Sequence, residues 1–135
     1  MEILKNINAD PKTLNSLALA FIGDTIFDLL TRGMILAQGN APVNIMHKKA
    51  KAIVNAASQS KMYSAIENML TEEELAVMKR GRNAKSHTSA KNQSIVDYRR
   101  ATGIEALFGY LYLSGEYDRI EELYSIGLNS LPKGN

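Results

Sequence analysis

The chain has 135 residues, 45% apolar and 22% charged with a net charge of +2, and we expect one globular domain spanning residues 1–135. It has no cysteine, which excludes disulfides, thiol nucleophiles and cysteine metal sites and suits a reducing cytoplasm. The longest apolar run, Leu17–Gly23, is too short to cross a bilayer, and the amino terminus lacks the apolar segment of a secretory signal, so we expect a cytoplasmic protein without a membrane partner.

Helical periodicity recurs along the chain and strand patterns are almost absent, so we predict an all-α fold. Asp10 and Pro11 form a helix-start signal, and the first helix, with room for a break near its beginning, runs to about Ala37. The later predicted elements are one or two helices over 43–70, a helix from the capping box at 71–74 to about 81, a polar loop over 83–92, a helix over 95–113 and a last helix over 116–129.

Two of these helices, Leu17–Leu30 and Ile95–Leu113, are apolar almost all round and are predicted to be central. Each carries a carboxylate among apolar neighbours, Asp24 on the first and Glu105 on the second. An ionised carboxylate is costly to bury unless it is paired or binds a metal. The sequence leaves open whether the two acids meet at a metal site or each pairs with an arginine such as Arg32, Arg99 or Arg100.

Three glycines favour close packing of the same two helices. Gly23 precedes Asp24, while Gly103 and Gly109 flank Glu105. Glycine inside a helix costs about 1 kcal/mol relative to alanine, but it allows a second backbone to come close. We expect these glycines to bring the two acids together, with tight core packing alone as the competing explanation.

Basic residues gather on one predicted helix and at the end of another. Residues 79–100 hold seven of the sixteen Lys and Arg residues and a single acid, Asp97, and this asymmetry indicates a surface for a polyanion. Basic residues mixed with Asn, Ser and Thr suit phosphate contacts, although an ordinary solvated face and the helix dipole are alternatives. The candidates for contacts to a nucleic-acid backbone are Lys48, Lys49, Lys51, Arg80, Arg82, Lys85 and His87.

Two stretches resemble the signature motifs of ribonuclease III. FIGDTIFD, residues 21–28, is similar to the string that carries a metal-binding aspartate, and IEALFGYLYL, residues 104–113, is similar to the string that carries a metal-binding glutamate. RGRNAK at 80–85 and YRRATGIEAL at 98–107 look like motifs of the stand-alone catalytic branch, Mini-ribonuclease III. The resemblance covers about residues 10–130, and we expect no double-stranded-RNA-binding domain.

The resemblance implies a ribonuclease III-like helical bundle and a Mg²⁺-dependent endoribonuclease that cuts double-stranded RNA to leave 5′-phosphate and 3′-hydroxyl ends. It also implies a homodimer that matures the precursor of the large-subunit (23S) ribosomal RNA, with a ribosomal protein to be considered as a further partner. The resemblance implies that Asp24 and Glu105 are catalytic and hold the metal. Asp28 and Thr102 are expected to support these two ligands without binding the metal themselves.

The sequence departs from the larger enzymes of the family at two acidic positions. Ala20, four residues before Asp24, and Thr102, three residues before Glu105, stand where those enzymes carry acids. The surviving ligands would therefore be two carboxylates, with water and RNA phosphate completing the shell of a Mg²⁺ ion. A helical RNA-binding or ribosome-associated module without catalysis is the alternative function, and a purely structural helical dimer would explain neither central acid.

Overall fold

The structure is a computed structural model that describes residues 7–85 and 94–133. This part of the chain contains six α-helices and no strand, which confirms the all-α prediction. No helix in it is long and apolar enough to span a membrane. The helices are α1 (Ser16–Ala37), α2 (Val43–Ile53), α3 (Ala56–Ile66), α4 (Glu72–Asn83), α5 (Ile95–Leu113) and α6 (Tyr117–Asn129), with a 3₁₀ turn at Glu67–Met69.

Polar side chains set the helix starts. α1 begins at Ser16 because the Asn15 side chain accepts a hydrogen bond from the backbone N–H of Ala18 at 2.8 Å. Asp10 instead caps a separate short turn, so the break near the start of the first predicted helix is present. The capping box at Thr71 and Glu74 is confirmed, with both reciprocal hydrogen bonds formed.

α5 is the central helix, because it packs against α1, α3 and α4 and buries side chains around its circumference. Its Phe108 stacks on Phe27 of α1 at 5.6 Å between ring centres, and Phe27 meets the edge of Tyr124 of α6 at 5.4 Å. α1 packs against α5 more extensively than any other pair of helices in the described chain. Even so, α1 leaves a set of large apolar side chains exposed on its other side, namely Leu17, Phe21, Leu29 and Leu36.

Two of the three glycines let α1 and α5 touch. A Cβ atom on Gly23 would overlap the main-chain oxygen of Glu105, and one on Gly109 would overlap the main-chain oxygen of Leu19. The predicted close approach of the two acid-bearing helices is therefore confirmed. Gly103 has a different role: a Cβ atom there would lie 2.8 Å from the main-chain oxygen of Met78, so this glycine admits α4 and not α1.

Gly23→Ala should lower the free energy of unfolding by about 3 kcal/mol, because the added methyl group would force the two helix backbones apart. Gly33→Ala is the matched control on the same helix, where a Cβ atom would meet nothing within 4 Å. The control should raise stability by up to about 1 kcal/mol, since alanine is the better helix former. Urea unfolding of both variants checks this, and equal stabilities would contradict the close approach.

Candidate active site

Asp24 and Glu105 lie together where α1 and α5 touch. The Asp24 carboxyl group lies close to that of Glu105, and burial, followed by the negative charge of Asp24, raises the pKa of Glu105 to about 8. With this pKa, the Glu105 carboxyl group is mostly protonated at neutral pH. The sequence-based expectation that the two acids meet is confirmed by this contact.

The two carboxyl groups differ in their access to solvent. Glu105 is half-buried, whereas Asp24 is exposed at the rim of the helix pair. Burial therefore makes the ionised form of Glu105 costly, whereas the expectation of a buried Asp24 was wrong. Within residues 7–85 and 94–133, no ion pair joins either acid to an arginine or lysine, so the alternative of structural ion pairs is not realised there.

The residues present fit a divalent cation of the Mg²⁺ type. Two closely packed helices bring two carboxyl groups, which are hard oxygen donors, next to each other. The amide of Gln59 on α3 also faces Glu105, and its buried Nε2 has no hydrogen-bond partner. No group of three or more His, Cys, Asp or Glu side chains that could hold a metal is found in the described chain, so the candidate site is a carboxylate pair.

Asp28 and Thr102, which are expected to support the two metal ligands, each contact a residue four positions away on their own helix. Asp28 forms an ion pair with Arg32 one turn further along α1, with Nε and Oδ2 3.2 Å apart; Arg32 is exposed and Asp28 is partly exposed. The Thr102 hydroxyl donates to the main-chain oxygen of Tyr98 at 3.1 Å. Neither contact reaches Asp24 or Glu105, and a supporting role for Asp28 and Thr102 remains a prediction.

The predicted RNA-contacting residues are mostly exposed. Those on α2 and at the end of α4 that are open to solvent are Lys48, Lys49, Lys51, Arg80 and Lys85. Arg82 is half-buried and donates through Nη1 to the Tyr63 hydroxyl at 3.1 Å. His87 lies outside the described residues.

Tyr63 of α3 organises two arginines. The guanidinium group of Arg100 lies 5.5 Å from the centre of the Tyr63 ring, and its Nη1 donates to the Ser64 hydroxyl at 3.3 Å. With Arg82 on the Tyr63 hydroxyl, two cations from α4 and α5 are held beside one buried aromatic ring. Guanidinium groups held in this way are suited to phosphate oxygens.

Comparison with known proteins places this arrangement in a family. The Ribonuclease III domain family matches residues 17–116, a range that contains both carboxylates and the arginine pair. The chain belongs to the ribonuclease III family. The branch is also confirmed, since curated relatives named Mini-ribonuclease 3 match most of the chain.

Two relatives and one solved structure illustrate the similarity. The Mini-ribonuclease 3 of Clostridium tetani is 47% identical over 121 residues, which cover 89% of this chain and 80% of that protein. The Mini-ribonuclease 3 of Brevibacillus brevis is 47% identical over 119 residues, covering 88% of this chain and 89% of that protein. The crystal structure of protein FN1578 from Fusobacterium nucleatum has a TM-score of 0.80 at 33% identity, over 90% of this chain and 98% of that one.

Sequence reasoning missed two residues of this ribonuclease III domain and considered Arg100 only as an ion-pair partner of a central acid. Gln59 and Tyr63 had no assigned role at the site, because an isolated Gln or Tyr in a polar segment resembles many solvated helix positions. A usable signal was present. Gln59 lies three positions before Met62 and Tyr63 lies three positions before Ile66, so all four residues fall on the same, buried side of α3. A polar residue on a buried face requires an explanation.

Proposed function

We propose that this member of the family cuts double-stranded RNA with a Mg²⁺ ion held by Asp24 and Glu105. Family membership makes the chain an endoribonuclease. The observation that carries the metal proposal is that an exposed and a half-buried carboxyl group meet where the backbones of α1 and α5 touch. A divalent cation held by both groups would relieve the repulsion between two acids that the close helix packing brings together.

Each residue has a defined task in the proposed reaction. Asp24 on α1, which is exposed, and Glu105 on α5, which is half-buried, would hold the ion. A bound Mg²⁺ would activate water and neutralise charge at the attacked phosphate. Arg82 and Arg100, fixed beside Tyr63, bind phosphate oxygens of the strand and orient it. Hydrolysis then leaves 5′-phosphate and 3′-hydroxyl ends.

The exposed cations of α2 and of the end of α4 supply contacts to the RNA backbone. Replacing both Arg80 and Lys85 with alanine should weaken duplex binding and make it less dependent on salt. In a plot of the logarithm of the binding constant against the logarithm of the salt concentration, the slope should become shallower by about 0.9 for each lost phosphate contact, the value known for DNA. Lys61→Ala is the matched control, an exposed lysine outside the proposed set. Binding measured across a salt series tests this, and an unchanged slope would place Arg80 and Lys85 away from RNA.

The same protein is proposed to act as a homodimer. Leu17, Phe21, Leu29 and Leu36 lie on one side of α1, on about a third of its circumference, and the Phe21 side chain is 83% exposed. The Asp28–Arg32 ion pair lies on the same side, and this partly apolar stripe favours an interaction surface. A second copy on a twofold axis near α1 would bury the stripe and supply two cleavage sites related by symmetry, which suits the two strands of a duplex.

Phe21→Asp should raise the dimer dissociation constant at least about 100-fold, because a charge would enter the centre of the apolar contact. Met69→Asp is the control, an exposed apolar residue in the 3₁₀ turn. Analytical ultracentrifugation at micromolar concentration measures the dimer dissociation constant of both variants and of the wild type. A wild-type mass equal to one 14.9 kDa chain would contradict the dimer.

The proposed substrate in the cell is the precursor of the large-subunit (23S) ribosomal RNA, in the cytoplasm, with a ribosomal protein as a candidate presenter of the substrate. This assignment is supported by the resemblance to Mini-ribonuclease III. Mapping of the 5′ and 3′ ends of ribosomal transcripts after depletion of the protein tests it. Accumulation of extended large-subunit precursors is the expected result, and normal mature ends would reject this substrate.

A further inference from the structure

Gln59 of α3 is an unusual residue for its position. Its side chain is only 4% exposed and lies on the same side of α3 as Met62, Tyr63 and Ile66, which are all buried. Its Nε2 is a buried donor without a hydrogen-bond partner, and no other buried side-chain nitrogen or oxygen in the described chain lacks one. A buried donor left unpaired is destabilising, so a purely structural role would be served better by an apolar residue.

The unpaired amide faces the acidic site. α3 packs against α5, and the Gln59 amide on α3 and the Asp24 carboxyl group on α1 both lie close to the Glu105 carboxyl group. The unpaired Nε2 of Gln59 is therefore a donor within reach of the Glu105 carboxylate.

We propose that Gln59 is a positioning residue that donates its Nε2–H to the Glu105 carboxylate and holds it in the orientation that binds a divalent cation together with Asp24. The inference rests on the proposed function, since it needs the carboxylate pair to be the metal site. A ligating carboxylate is commonly oriented by an outer hydrogen bond of this kind. In this chain the donor comes from a third helix, so α1, α3 and α5 together define the geometry of a site with only two acids.

The positioning role predicts opposite changes in stability and in metal binding. Gln59→Met keeps nearly the same length and removes the unpaired donor, so the metal-free variant should unfold at the same or a higher temperature than the wild type. Without the donor, the Glu105 carboxylate is free to rotate, and affinity for the cation should fall roughly 10- to 100-fold. A residue that only packs would leave affinity unchanged or lose affinity and stability together.

The experiment is a titration of the RNA-free protein with Mn²⁺, in which the free ion is followed by electron paramagnetic resonance and the unfolding temperature is recorded in parallel. We expect Gln59→Met to bind Mn²⁺ at least tenfold more weakly than the wild type without losing stability. Ser60→Ala is the matched control, an equally buried polar residue on the same helix that does not interact with Glu105. Its Mn²⁺ affinity should equal that of the wild type.

The outcomes separate this inference from the proposed function. Wild-type affinity in Gln59→Met, together with loss of binding in Asp24→Asn, would overturn the role of Gln59 and leave the carboxylate pair standing. Equal Mn²⁺ binding by the wild type and Asp24→Asn would overturn the pair itself and the role of Gln59 with it. If Gln59→Met does not fold, Gln59→Asn replaces it, since the shorter amide retains polarity but falls short of Glu105 and should show the same tenfold loss.

Discussion

Asp24→Asn is expected to slow duplex cleavage by about three orders of magnitude while leaving duplex binding nearly unchanged. The amide keeps the shape of the side chain and loses the charge that holds the cation, which is worth several kcal/mol in a reaction of this type. Glu105→Gln should have the same effect, because the proposed site needs both carboxylates. Single-turnover experiments give the cleavage rate, and a separate binding measurement gives the affinity for the duplex.

Asp118→Asn is the control for these two variants, since Asp118 is an exposed acid in the first turn of α6. It should cleave at the wild-type rate. Near-wild-type cleavage by Asp24→Asn would remove that residue from the metal site. A large loss in only one of the two variants would reject a shared site.

The metal-free protein should become less stable as the pH rises from about 4.5 to about 8. The ordinary pKa of a glutamate is 4.5, and burial beside Asp24 raises that of Glu105 to about 8, so the folded state holds a proton over this interval that the unfolded state has lost. The free energy of unfolding therefore falls with pH here and levels off above pH 8. One pKa unit corresponds to about 1.4 kcal/mol, so the total loss is at most about 5 kcal/mol.

Glu105→Gln is the control, because it cannot lose a proton and should lack this part of the pH dependence. Saturating Mg²⁺ should flatten the wild-type slope, since the cation occupies the place of the proton. Urea unfolding at several pH values gives the free energy of unfolding as a function of pH for three samples: the wild type in a chelator, the wild type in Mg²⁺, and Glu105→Gln in a chelator. Identical slopes for the wild type and Glu105→Gln in the chelator would show that the pKa of Glu105 is not raised in the folded protein.

The helices and their central pair could be predicted from the sequence because they depend on local signals. Periodicity, the capping box at Thr71 and the glycines at 23 and 109 each act within one helix or across one contact. The start of α1 was harder, because Asp10 and Asn15 are both good capping residues and only the path of the chain decides between them. The contact of Gly103 with α4 likewise depends on tertiary packing, which a glycine alone does not specify.

The site was predictable only in part. Asp24 and Glu105 stood out as acids in apolar helices, and the motifs of the family pointed to the same residues. The exposure of Asp24 could not be anticipated, because an apolar stripe on α1 can face either the core or solvent, and here Phe21 faces solvent. Gln59 contacts Glu105 from a helix 46 positions earlier in sequence, so its role depends on how α3 packs against α5.

The central claim is that the Asp24–Glu105 pair carries a metal-dependent cleavage of duplex RNA. The most direct test is incubation of an end-labelled RNA duplex with the wild-type protein, once in Mg²⁺ and once in a chelator. The account predicts cleavage in Mg²⁺ alone, with 5′-phosphate and 3′-hydroxyl ends on the products. A duplex that is bound but stays intact in Mg²⁺ would favour a binding module without catalysis, and equal cleavage in the chelator would contradict a metal site at Asp24 and Glu105.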